Sequence, residues 1–218
     1  RKKKREAEGK RCEEGEKIKC RGVKKKRSLM ENCIKKYNAG NVERVQNTLE
    51  LLGYKAVVTD DHNAIKNADK VIFPGVGNAY SAMQSLREKK LDEVIKQLTQ
   101  PVLGICVGMQ LLCNHSEEND TTGLGIIDLN VKKFVSEKQN FKIPQIGWNN
   151  IYNLSSALFE DVKEDSFVYY VHSYYAESGK ETVATTDYIF PYSAVIQKDN
   201  FYGVQFHTEK SAEVGDRI

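Results

Sequence analysis

Three short stretches carry residue types that could act together as a nucleophile, its base and an anion-stabilising loop. In GICVGMQ (104–110), Cys106 stands between Gly104 and Gly108, after an apolar run and before a helical pattern. A strand entering a helix through small–x–Cys–x–small has the logic of a nucleophile elbow. The turn is strained, and the glycines let it close without Cβ clashes while the thiol is held outward. The helix that follows directs its N-terminus at the sulfur, which favours a thiolate. The backbone N–H of Val107 is then placed to meet an oxyanion. A small residue packed in a glycine-rich turn is the plainer reading of the same pattern.

A cysteine nucleophile needs a base, and the base needs an orienting partner. Of the four histidines, His62 and His115 sit among polar residues and read as surface. His172 lies at a strand end in YYVHSYY, and His207 closes a strand in YGVQFHTEKS. Residues i and i+2 of an extended chain point the same way, so Glu209 can hold one ring nitrogen of His207. The other nitrogen is then free for the thiol. The third stretch, VIFPGVGNA (71–79), is a strand running into a glycine-rich loop. It has no phosphate-binding lysine pattern, so an amide turned toward an oxyanion is its better use.

The elements around these stretches must bring them together. Short apolar runs at 33–37, 55–59, 70–73 and 101–105 alternate with helical patterns at 42–52, 64–68, 80–89 with 91–98, and 107–114. That alternation predicts a three-layer α/β fold, a mostly parallel central sheet with helices on both faces. The second half reads as strands at 131–135, 148–152, 167–173, 182–186, 193–197 and 201–207 with little helix between. These are expected to be antiparallel additions to the same core.

Composition limits the function classes. The chain has 218 residues, 40% hydrophobic, ordinary for a soluble globular protein. No apolar run approaches a membrane span, and no apolar stretch follows the basic start. Five cysteines without a CxxC pair suit reduced thiols in the cytoplasm. No Cys/His cluster has metal-ligand spacing, so no metal and no cofactor are expected. Residues 1–30 carry 14 Lys/Arg and 5 Glu, a net of +9, whereas residues 31–218 carry a net of −6. The head is expected to be a disordered basic segment, or sequence outside the mature protein, with Met30 a candidate natural start. An acidic body gives nucleic acid no supporting surface. Residues 31–218 are expected to form one domain.

FPGVG, GICVGMQ and FHTEKS, in this order and spacing, resemble the class I (triad) glutamine amidotransferases. YNAGN (37–41), IPQIGWNNI (143–151), VYYVHSYY (168–175) and VATTDY (183–188) narrow the likeness to glutaminase subunits of imidazole glycerol phosphate synthase. The resemblance covers residues 33–218 nearly continuously. It implies that Cys106 attacks the side-chain amide of L-glutamine, with His207 as base and Glu209 as orienter. It implies backbone amides of Val76 and Val107 as the oxyanion hole. Gly75, Gly77, Gln110, His172, Ser173 and Tyr174 would cradle glutamine. Asn41, Trp148 and Lys210 match positions near the interface with a (β/α)8-barrel cyclase, the partner that receives the ammonia in histidine biosynthesis. Two departures stand out. Thr208 replaces the usual proline and would loosen Glu209, and family members carry another helical turn or two after GDRI. A different acceptor enzyme in the same class, or a module that only binds the partner, is the rival reading.

Overall fold

The computed structural model describes residues 31–35, 39–75, 77–136 and 141–218. The basic head (1–30), the oxyanion candidate Val76 and the side chain of Asn41 lie outside the described residues.

The first half alternates as its hydrophobic pattern requires. Strand β1 (Glu31–Lys35) leads to helix α1 (Ala39–Leu51), which buries Val42 and Val45 and stops at Gly53 with φ 81°. Strand β2 (Lys55–Thr59) is followed by α2 (His62–Asn67), capped where Asp61 Oδ1 accepts the Ala64 N–H at 2.7 Å. Strand β3 (Lys70–Gly75) leads to α3 (Ala79–Glu88), capped in the same way by Asn78. Lys90, at φ 52°, separates α3 from α4 (Leu91–Lys96). Strand β4 (Val102–Cys106) then runs straight into α5 (Val107–Leu112).

The expected helix over 107–114 is shorter than its pattern. Cys113 is extended (φ −72°, ψ 173°), and β5 (Cys113–Ser116) begins there. The carbonyls of Leu111, Leu112 and Cys113 accept from Leu124, Ile126 and Gly125 at 2.8–3.0 Å. A passing loop therefore takes the hydrogen bonds that another helical turn would have used.

The remaining strands are β6 (Thr121–Thr122), β7 (Ile127–Lys133), β8 (Gln145–Ile151), β9 (Ser166–His172), β10 (Tyr174–Ala176), β11 (Thr182–Asp187), β12 (Pro191–Lys198) and β13 (Phe201–Val204). The short α6 (Ala212–Arg217) comes last. Among the described residues one sheet has the order β2-β1-β3-β4-β13-β12-β10-β7-β5-β6, with β11 on β12, while β8 and β9 pair separately. The pairings β1–β2, β1–β3, β3–β4, β4–β13 and β5–β7 are parallel, and the additions are largely antiparallel. Leu103 and Ile105 face the side of α1 and α6, where a cavity of about 390 Å³ lies. Gly104, one residue out of phase, faces α5 on the opposite side. Helices thus cover both faces.

Register brings the chemistry together. Gly75 pairs with Cys106, and Val204 with Ile105, so β3, β4 and β13 end side by side. The carboxyl ends of adjacent parallel strands are where open α/β sheets bind ligands.

Candidate active site

The elbow closes because two chain segments almost touch. A Cβ on Gly108 would run into the Phe73 carbonyl oxygen, and one on Gly75 into the Gly108 nitrogen. Only glycine lets α5 start directly against β3. Cys106 itself takes φ 55° and ψ −113°, a left-handed backbone that costs a side-chain-bearing residue of order 1–3 kcal/mol. The surrounding fold holds that strain, and it directs the sulfur off the sheet edge. Val107 is the first residue of α5, so its N–H has no partner within the helix and is available to an oxyanion.

The candidate base follows β13. His207 and Cys106 are each 6% exposed, and His207 Nδ1 donates to Glu209 Oε1 at 2.8 Å. That bond leaves Nε2 for the sulfur. The pair does not form along an extended strand, as the i/i+2 spacing implied. The strand stops at Val204, and Thr208–Lys210 is a 3-10 turn that folds Glu209 back onto the ring. With Thr208 in place of the usual proline, the Glu209 side chain is still 1% exposed and within 2.8 Å of His207. Burial would lower the His207 pKa, but hydrogen bonds to Cys106 and Glu209 outweigh it and raise the group to about 9. An imidazolium beside the thiol is therefore favoured at neutral pH.

His172 is a different histidine. Burial pulls its pKa down to about 4. Its Nδ1–H donates to the Tyr174 carbonyl at 2.8 Å, and Nε2 lies 3.2 Å from Tyr192 Oη. A neutral ring with both nitrogens engaged fixes the Ser173–Tyr174 backbone rather than moving protons. Gln110 Nε2 reaches the same Tyr174 carbonyl at 2.9 Å. Gly77, at φ 83°, turns the loop after β3 into α3.

Two further groups had no signal in the sequence. Gln205 is fully buried, with Nε2 3.8 Å from the Cys106 sulfur and Oε1 2.9 Å from Gln110 Nε2. Glu118 is half-buried and accepts the Ala79 N–H at 2.6 Å, beside the glycine-rich loop. Burial raises its pKa against the pull of that bond, and its charge is felt at Tyr174. Nothing local marks a glutamine or a hairpin glutamate as functional; only the fold brings them to the sulfur and its surroundings.

Trp148 and Lys210 sit elsewhere. On the β8–β9 sheet, Ile146, Trp148 and Phe167 are 62%, 53% and 59% exposed. Trp148 meets Tyr169 edge-on at 5.7 Å, and Lys210 Nζ lies 5.6 Å from the Tyr169 ring. The inner edge of this sheet reaches Cys106, for the Val171 carbonyl is 4.0 Å from the sulfur.

A buried Cys–His–Glu set at parallel strand ends is an acyl-transfer arrangement, and comparison with known proteins specifies which. Residues 30–217 match the glutamine amidotransferase class-I family. The chain belongs to the class-I glutamine amidotransferases. This amidotransferase is 53% identical over 189 residues to imidazole glycerol phosphate synthase subunit HisH of Bacteroides fragilis, covering 87% of this chain and 96% of that one. It is 45% identical over 176 residues to the HisH of Pasteurella multocida, covering 80% and 88%. Its fold matches that of PurLQS from Thermotoga maritima with a TM-score of 0.64 at 14% identity, covering 87% of this chain and 95% of that one. A glutamine amidotransferase from Thermotoga maritima gives 0.59 at 17%, covering 87% and 80%.

Proposed function

We propose that this amidotransferase is the glutaminase subunit of imidazole glycerol phosphate synthase, acting in histidine biosynthesis in the cytoplasm. The observation that carries the chemistry is the His207 ring, hydrogen-bonded to Glu209 at 2.8 Å and to the Cys106 thiol on its other side. The Cys106 thiolate attacks the side-chain carbonyl carbon of L-glutamine. The resulting oxyanion meets the Val107 N–H, with Val76 the second donor expected from the sequence. His207 gives its proton to the departing ammonia, leaving a glutamyl thioester on Cys106. Water, deprotonated by His207, then attacks the thioester and releases glutamate. In this reading Glu118, which accepts the Ala79 N–H beside the glycine-rich loop, meets the substrate ammonium, and Gln110 and the Ser173–Tyr174 backbone meet its polar end.

The apolar face of Ile146, Trp148 and Phe167 is the docking surface for the cyclase, a (β/α)8 barrel that takes the ammonia. Charge-bearing Lys210 borders it. Large aromatic side chains exposed together on one sheet face are characteristic of partner surfaces. Residues 1–30 are dispensable in this reading.

The deciding experiment is Cys106→Ala, assayed with the cyclase present. Glutamine-dependent synthesis should be lost while synthesis from free ammonia persists. Retained glutamine hydrolysis would remove Cys106 as nucleophile. Trp148→Ala should weaken co-elution with the cyclase, and deletion of residues 1–29 should leave activity unchanged.

A further inference from the structure

We propose that Gln205 is a catalytic residue, whose side-chain amide donates a hydrogen bond to the Cys106 sulfur and stabilises the thiolate. The proposal rests on Cys106 being the nucleophile and assigns it a second charge-stabilising partner beside His207.

One backbone carbonyl fixes the orientation of both amides. The Tyr174 oxygen can only accept, so the Gln110 atom 2.9 Å from it must be the NH2 group. The same Gln110 nitrogen is 2.9 Å from the Gln205 amide, so the Gln205 atom facing it must be the oxygen. Gln205 therefore turns its NH2 group the other way, to the sulfur 3.8 Å off, within hydrogen-bonding range for sulfur. The orientation of an amide is ordinarily ambiguous, and here one fixed acceptor settles two of them in series. His172 Nδ1 donates to the same carbonyl, so the anchor is itself held in place.

The burial gives this donor its weight. Gln110 is 3% exposed, Gln205 0% and Cys106 6%, so little water is available to solvate a thiolate. The neutral thiol donates to the Val171 carbonyl at 4.0 Å, and that oxygen opposes a negative sulfur once the proton has left. An N–H reaching the sulfur from just past the end of the neighbouring strand β13 offsets both costs, because hydrogen bonding to the charged form favours it. The titratable groups bearing on the sulfur are His207 and, through it, Glu209 and His172; Gln205 is the neutral donor among them.

The test follows iodoacetamide alkylation of the Cys106 peptide by mass spectrometry across pH, in the full chain and in Gln205→Met. The midpoint should move up by about one pH unit, a roughly tenfold smaller thiolate fraction below it. Gln205→Glu, which replaces the donor by a negative acceptor, should move it further. An unmoved midpoint in folded variants overturns the proposal. A second measurement needs no change at Gln205. The Gln205 side-chain amide resonances of the unaltered chain should shift as Cys106 ionises and stay still in Cys106→Ala. Resonances indifferent to both would also overturn it. Both readouts concern the thiol alone, so they fail independently of the glutaminase assay that tests Cys106 itself.

Discussion

The two ends of α5 carry two cysteines with opposite fates. Cys106 opens the helix and Cys113 follows it, and both are buried. Burial and the nearby carboxylates of Glu177 and Glu181 push the Cys113 thiol up to about 12. Its sulfur donates to the Met109 carbonyl at 3.8 Å, one turn back, and no histidine is paired with it among the described residues. Cys106 has the His207 ring, the Gln205 amide and a strained backbone. The lesson is that exposure does not separate a reactive thiol from an inert one; the donors and charges arranged around it do.

The largest effect should come from removing the geometry that makes the ends differ. Gly108→Ala places a methyl group where the Phe73 carbonyl lies, so β3 and α5 must separate. We expect loss of soluble protein, or at least a roughly 10³-fold loss of glutamine turnover by the order of catalytic-group deletions. Normal activity in this variant would mean that the elbow is not needed.

Next is Glu209→Gln, which removes the charge that holds Nδ1–H and Nε2 in their roles. Turnover should fall by roughly 10²-fold or more, while Cys106 and Cys113 keep their contrast in alkylation rate. The unaltered enzyme offers a companion test. Above about 9, His207 loses the proton that the proposed mechanism hands to ammonia. Turnover should then decline with rising pH while alkylation of Cys106 continues. Parallel decline of both would contradict the assignment.

His172 gives a medium-sized effect of defined sign. Its folded pKa, about 4, lies below the roughly 6.5 of an unfolded histidine. The unfolded chain therefore binds the proton first as pH falls. Stability present above about 6.5 should be lost toward pH 4, by on the order of 3 kcal/mol. His207, raised instead, contributes with the opposite sign: its share is present below about 6.5 and lost as pH rises through about 9. Urea unfolding between pH 7 and 4 should be flatter in His172→Gln, and an unchanged slope would remove His172 as the cause.

The smallest effect should be at the inert end. Cys113→Ala leaves a small void and should cost about 1 kcal/mol, with turnover unchanged. A large loss of turnover there would break the comparison altogether.

Much of this was legible in the sequence, for physical reasons. Alternating apolar runs marked β2, β3 and β4 within a residue or two, because β2 and β3 are bounded by turn or capping residues and β4 follows Pro101 and ends between the two glycines. Cys106, His207 and Glu209 stood out because few residue types can act as nucleophile, base and orienter. What escaped depends on distant neighbours. β5 replaces two expected helical residues because the 124–126 loop takes the carbonyls of 111–113, and β10 is only three residues long. Gln205 meets Cys106 across 99 positions of chain, and no local pattern distinguishes it from a packing glutamine. The turn at Thr208–Lys210 was also hidden, so the pair with His207 was expected for a reason that the fold does not use.

The close passage at Gly108 has a consequence for inheritance. Every single-nucleotide missense change in a glycine codon installs a side chain with a Cβ, and at this position any Cβ collides with the Phe73 carbonyl. The codon therefore tolerates silent changes alone, and any substitution that reaches the protein must be accompanied by movement of β3 away from α5. Five residues further on, Cys113 already carries a Cβ and its sulfur bonds the Met109 carbonyl one turn back, so a change to a small residue there removes one weak contact instead of forcing two segments apart.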